Sequence, residues 1–186
     1  MQETWTEIEA SLLQLYALPH NQCWLQERGQ SAADLVAGKL AEIRGGLIGM
    51  PTRENFVGPK MFLRVVGAGN RSYGGEWWFD ADLLDSLDRA YQRLYFNRLE
   101  RDGAIRALLR EALAITTEWN TLDEVWSLVL PPGETLAGYS GIGTRQPLLG
   151  RLPITGPGNR MLVGGVRQTW FPVKNPFWVQ LHRHLH

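Results

Sequence analysis

Cysteine is almost absent: Cys23 is the single one in 186 residues. With no second thiol in the chain, a disulfide-stapled scaffold and a cysteine-based zinc site are both excluded, and the usage fits a reducing compartment. Net charge is missing too. Lys plus Arg and Asp plus Glu each number 19, so no net field draws the chain to a nucleic-acid backbone or an anionic membrane, and neither partner is expected. No run of about 18 apolar residues occurs, which leaves no candidate membrane-spanning helix. The opening stretch MQETWTEIEASLLQLY carries acidic residues and no Lys or Arg, unlike the basic start of a secretory signal peptide. These absences describe a soluble, cytoplasmic protein without an export signal of its own.

What is present suffices for a core. Apolar residues make up 44% and charged residues 20%, and the length allows one domain with a small extension but not two large domains. Eight Trp and twenty Gly are the departures from ordinary usage, and they cluster in the middle and C-terminal parts.

Thr4 and Glu7 have capping-box spacing ahead of Ile8, Leu12 and Leu13, which predicts a first helix over 4–17, stopped by Pro19. Ser31 and Asp34 open a second helix that ends at Gly45-Gly46. Together they read as a helical extension over 1–45, ahead of an α+β domain over 46–186. GLIGMPTRENFVGP at 46–59 reads as a loop. MFLRVVGAG at 61–69 reads as a strand with Arg64 embedded in it, and NRSYGGEWWF as a loop running into a second strand. Asp80 then caps a helix carrying Leu83, Leu84, Leu87 and Tyr91. A second run, after Asp102-Gly103, completes a central helical hairpin. Strands are expected at 124–130, 136–143 and 161–173. The order of elements predicts α+β with an antiparallel or mixed sheet.

Three segments carry chemistry. Arg64 is a permanent cation in an apolar strand, so it either faces solvent at a sheet edge or needs an anion. Ser72, Tyr73, Glu76, Trp77 and Trp78 combine aromatic faces with small residues, a surface suited to a flat heteroaromatic ligand or to anchoring the sheet on the next helix. GYSGIGTRQP and VGGVRQTWFP each end a glycine-rich run with an Arg-Gln pair. In them Gly164 permits close backbone approach, and Gln146 and Gln168 offer donors and acceptors to ribose hydroxyls. Polar tips of surface hairpins are the plainer reading.

Other chemistries are poorly represented. No glycine run has the spacing of a dinucleotide-binding or phosphate-binding loop. Ser140 lacks a nucleophile-elbow context. PFWVQLHRHLH reads as a closing extended or short helical element; in it His182, His184 and His186 have no accompanying carboxylate or thiol, so no metal is expected and this histidine tail reads as frayed.

In order and character these segments resemble the ADP-ribosyltransferase-like superfamily. The matching positions are Arg64 in FLRVVG, Ser72-Tyr73 in SYGGEWW and Gln168 in VGGVRQTWF. GGVRQTWF following LPPGETLAGYSG is similar to the ending of necrotizing-toxin-type NAD glycohydrolases. The resemblance implies a split β-sheet and a toxin-like effector that takes NAD as substrate, acts in a target cell's cytosol, and has an inhibitory or immunity protein as partner. It assigns Arg64 to the pyrophosphate, Gln168 to the nicotinamide ribose and Glu76 to charge stabilisation. Val65, Gly67, Ser72, Tyr73, Trp77, Gly164 and Gln146 would line the substrate cleft. No Glu-x-Glu or Gln-x-Glu stands at the late strand, so water is the expected acceptor, and Gln168 is expected to face the same cleft as Arg64 and Ser72. The alternatives are an ADP-ribosyltransferase acting on a macromolecule and a non-catalytic, Trp-rich interaction module.

Overall fold

Both N-terminal helices form where their caps predict. The structure, a computed structural model, describes residues 3–18, 29, 31–68, 76–117, 120–149, 159–172 and 175–186. Helix α1 (Trp5–Tyr16) starts at Thr4, whose hydroxyl accepts from the Glu7 N–H while the Glu7 carboxylate accepts from the Thr4 N–H. Helix α2 (Ala32–Gly46) starts at Ser31, whose hydroxyl accepts from the Asp34 N–H at 3.1 Å. Caps of this kind, reciprocal at α1, satisfy donors that a helix start leaves unpaired. The apolar stripes of the two helices, Ile8, Leu12 and Tyr16 with Leu35, Val36, Leu40 and Ile43, share one core with Leu47, Tyr139 and Trp170 of the sheet region. The sequence boundary at 45/46 therefore falls within α2, inside a helix packed on the rest of the chain.

Among the described residues seven strands make one sheet: β1 (Thr52–Val57), β2 (Lys60–Val66), β3 (Trp77–Asp80), β4 (Glu124–Leu130), β5 (Thr135–Ile142), β6 (Arg167–Trp170) and β7 (Val179–His184). Their order is β1-β5-β6-β3-β2-β4-β7, and every pairing is antiparallel. The fold is α+β, as expected. The pairing is uneven across the middle. Strand β2 matches β4 along its whole length, from Lys60↔Leu130 to Val66↔Glu124, whereas it meets β3 only at Phe62↔Asp80 and Leu63↔Phe79. Beyond Leu63 the two strands are unpaired, and the sheet opens there.

Helices α3 (Ala81–Gln92) and α4 (Arg98–Ala112) form the central hairpin. Leu84, Ile105 and Leu109 pack on Leu63, Val65, Phe79 and Val125. In register, these strand residues lie on the same sheet face as Trp77, Trp170 and Tyr139. Both helix pairs therefore cover one face, α1 and α2 over the β5–β6 half and α3 and α4 over the β2–β4 half. On the other face Phe56, Phe62 and Phe171 meet edge to face, with ring centroids 4.9–5.6 Å apart, a favoured aromatic arrangement.

Four sequence expectations are corrected. Strand β1 lies within the segment read as a loop. It is an edge strand with mostly exposed side chains, so its residues lack the alternating apolar pattern that marks a half-buried strand. The second hairpin helix begins at Arg98, capped by Asn97, and runs through Asp102-Gly103; Asp102 is buried in it, with the Arg98 guanidinium 3.6 Å away. The late strand spans only Arg167–Trp170, because Gly164 and Gly165 take φ of +64° and +87°, a turn conformation that ends a ladder. The C-terminus is not frayed: β7 pairs with β4, Leu185 is buried, and the His184 ring lies 3.7 Å from the Glu124 carboxylate.

Candidate functional site

Where β2 and β3 part, a cavity of about 610 Å³ opens between α2 and the segment after α4. Glu42, Gly45 and Gly46 form the α2 wall, Arg64 and Val65 come from β2, and Trp77 comes from β3. Leu113, Ala114, Ile115 and Asn120 line the opposite side, with Thr144, Gln146 and Gln168 closing the end. The volume lies within the range of roughly 300–1,000 Å³ common to small-molecule sites.

Arg64 is the cation of this cavity. By strand alternation its side chain leaves the sheet opposite to Leu63 and Val65, while Gln168 is in register with Phe79 and Leu63. Both nevertheless line the same space, where β2 and β3 are no longer paired. Burial pulls the Arg64 guanidinium below its usual pKa, and the nearby Glu76 and Glu42 offset this only in part. An arginine still keeps its proton at any ordinary pH. Nη1 is shut off from solvent and has no hydrogen-bond partner among the described residues. A buried N–H of a charged group left this way costs free energy until an acceptor arrives.

The two glutamines each present one group and spend the other. Gln168 Nε2 donates to the Leu113 carbonyl at 3.1 Å, and Gln146 Nε2 donates to the Gly45 carbonyl at 3.1 Å. In that orientation neither amide oxygen is engaged among the described residues, and both are left as acceptors. Gln168 also fixes a strained segment: Ala114 has φ +51°, a conformation that costs a non-glycine residue about 1–3 kcal/mol unless its surroundings impose it. Arg110 completes the support by donating to the carbonyls of Ile115 and Asn120, each at 3.0 Å. Asn120 in turn donates to the Val65 carbonyl at 2.7 Å.

On the α2 side, the Trp77 indole N–H donates to Glu42 Oε1 at 2.7 Å, and Lys39 Nζ sits 3.1 Å from Glu42 Oε2 and 2.7 Å from Glu76 Oε1. Burial opposes the Lys39 charge, but the hydrogen bond and charge of Glu76, and then Glu42, outweigh it and raise its pKa. Burial, followed by the same two carboxylates, also raises the Tyr16 phenol.

The structure thus brings together Arg64, Val65, Trp77, Gln146 and Gln168. It does not bring in Glu76, which pairs with Lys39 outside the cavity lining. Gly67 faces Thr121, and Gly164 forms a turn whose N–H donates to the Glu111 carbonyl; neither is among the lining residues. Ser72 and Tyr73 lie outside the described residues. Ser140 is buried, with its hydroxyl 2.9 Å from that of Thr169, and is not among the lining residues. Sequence reasoning missed Glu42 and Asn120. Glu42 reads locally as half of an exposed Lys–Glu pair at i, i+3, and the Asn-Thr-Leu-Asp run at 120–123 reads only as a turn.

Among the described residues no helix is long and apolar enough to cross a membrane, and no group of three His, Cys, Asp or Glu could hold a metal ion. No family model and no curated protein matches the chain. Among solved structures it is similar to Rhs1-CT in complex with its cognate immunity protein RhsI1, at 13% identity and a TM-score of 0.42, over 74% of this chain and 80% of that one. A likeness of this size leaves the function to be argued from the cavity.

Proposed function

We propose that the cavity binds NAD and that the protein hydrolyses its nicotinamide–ribose bond, in the manner of a toxin-like effector. The observation that carries this reading is the unpartnered, buried Nη1 of Arg64 in a cavity that also presents the Gln168 amide and the Trp77 ring. The guanidinium takes a phosphate oxygen of the pyrophosphate through a charge-assisted hydrogen bond. Gln168 and Gln146 accept from ribose hydroxyls, which are the donors their free oxygens call for. Trp77 gives the nicotinamide ring an aromatic wall.

Little acid–base work is asked of the protein. In NAD the nicotinamide nitrogen is cationic, so the bond to C1′ breaks with its electron pair moving to that nitrogen, leaving neutral nicotinamide and an oxocarbenium-like ribose. Water adds at C1′ and releases a proton, giving ADP-ribose. Catalysis by positioning and charge stabilisation fits a cavity that holds its polar groups in fixed hydrogen bonds. An inhibitory partner would act by covering the cavity mouth. The test is incubation of the purified protein with NAD while free nicotinamide and ADP-ribose are followed; stoichiometric release of both supports the reading, and unchanged NAD refutes it.

A further inference from the structure

Cleavage of the nicotinamide–ribose bond develops positive charge on the ribose, and glycosidic cleavages generally hold a carboxylate against such a centre. Strand β6 has none to give, since Gln168 is neutral and Thr169 is buried against Ser140. Glu76 shares Lys39 with Glu42 but stands outside the lining. Among the described lining residues there is one carboxylate, Glu42.

Resting on the NAD reading of this cavity, we propose that Glu42 is its catalytic carboxylate, supplied by helix α2 rather than by the late strand, and that it stabilises the oxocarbenium-like ribose electrostatically. The placement supports this in three ways. Oε1 is fixed by the Trp77 indole at 2.7 Å, so the carboxylate is tied to the side chain that receives the leaving nicotinamide. Oε2 is fixed by Lys39 at 3.1 Å, and Lys39 is held in turn by Glu76. A charge held in place before reaction needs no reorganisation as the transition state forms. Arg64, which feels the charge of Glu76 and then that of Glu42, makes no ion pair of 4 Å or less with Glu42 among the described residues, so each charge is left for its own part of the dinucleotide.

The test separates catalysis from binding and from folding. Turnover of NAD is measured for the wild type, Glu42→Gln and Glu42→Asp. Affinity is measured by calorimetry with an NAD analogue whose nicotinamide ribose has a methylene in place of the ring oxygen, which cannot form an oxocarbenium ion. Glu42→Gln keeps an oxygen for Trp77 and is expected to lower kcat by about 10²–10³-fold, with analogue affinity within about threefold of wild type; Glu42→Asp, which keeps the charge, is expected to fall between the two. Full kcat in Glu42→Gln, a loss of affinity as large as the loss of turnover, or an Asp variant no better than the Gln variant would each overturn the assignment. A wild type that neither binds the analogue nor consumes NAD would instead overturn the underlying reading of the cavity.

Discussion

The side-chain amide of Gln168, whose strand partner is Gly141, reaches over Gly143: a β-carbon at position 143 would fall on its amide nitrogen, the atom that donates to the Leu113 carbonyl at 3.1 Å. Gly143 is therefore expected to position the glutamine without touching substrate. Gly143→Ala should lower kcat/KM by about tenfold while destabilising the protein by about 1–2 kcal/mol, the usual scale for one methyl too many in a packed site. Steady-state kinetics and urea unfolding of the same preparation check both figures.

Arg64→Ala removes the cation from the cavity together with an unsatisfied buried donor. Turnover is expected to fall at least 100-fold, while thermal stability stays level or rises, because the substitution removes a buried donor that has no hydrogen-bond partner among the described residues. Arg64→Lys should rescue in part, since a point charge replaces a planar fork. A marked drop in melting temperature for Arg64→Ala would mean that the arginine serves the fold.

Gly46 ends α2 against the Trp77 ring, and a β-carbon there would lie 2.6–2.7 Å from two ring atoms. Gly46→Ala is expected to push the indole off Glu42 and to destabilise by about 1–3 kcal/mol. Gly38, in the same helix, has open space around its β position. Gly38→Ala should stabilise by about 0.4–1 kcal/mol, and chemical denaturation of the pair separates crowding from helix propensity.

The alkaline limb of stability reports on the polar cluster under α1 and α2. Tyr16 is buried, its hydroxyl donates to the Pro172 carbonyl at 3.3 Å, and its pKa is raised, first by burial and then by Glu76 and Glu42. The folded state thus keeps a proton that the unfolded chain releases near pH 10. Its contribution is complete below that pH and is lost as pH rises toward the folded value; Lys39 acts in the same sense. Tyr16→Phe should flatten the fall in unfolding free energy between pH 9 and 11, as measured by urea titration at each pH.

With a neutral Gln168 at the late strand and water at high concentration, NAD consumption should yield free ADP-ribose rather than a modified macromolecule. Mass spectrometry of lysate proteins and RNA after incubation with labelled NAD checks this. Predominant macromolecular label would favour transfer.

The elements that announce themselves are those whose signals are local. Thr4 with Glu7, Ser31 with Asp34, and Asp80 each combine a cap with an apolar stripe, and the corresponding helices start within one residue of the reading. Strand β2 shows itself by its apolar run, and Arg64 by interrupting it. Glu42 does not, because its meaning depends on Trp77, thirty-five positions later, and on a gap between strands that no local pattern encodes. Strand β7 is legible only as an extended or short helical ending, because its polar, histidine-bearing sequence is held by pairing with β4 rather than by its own apolar pattern.

The most direct test places wild type and Arg64→Ala side by side with NAD and measures nicotinamide and ADP-ribose over time. The account predicts equimolar release of both by the wild type and at least a 100-fold slower release by the variant, with a melting temperature unchanged or raised. NAD left intact by the wild type, or equal rates in the two proteins, would contradict it.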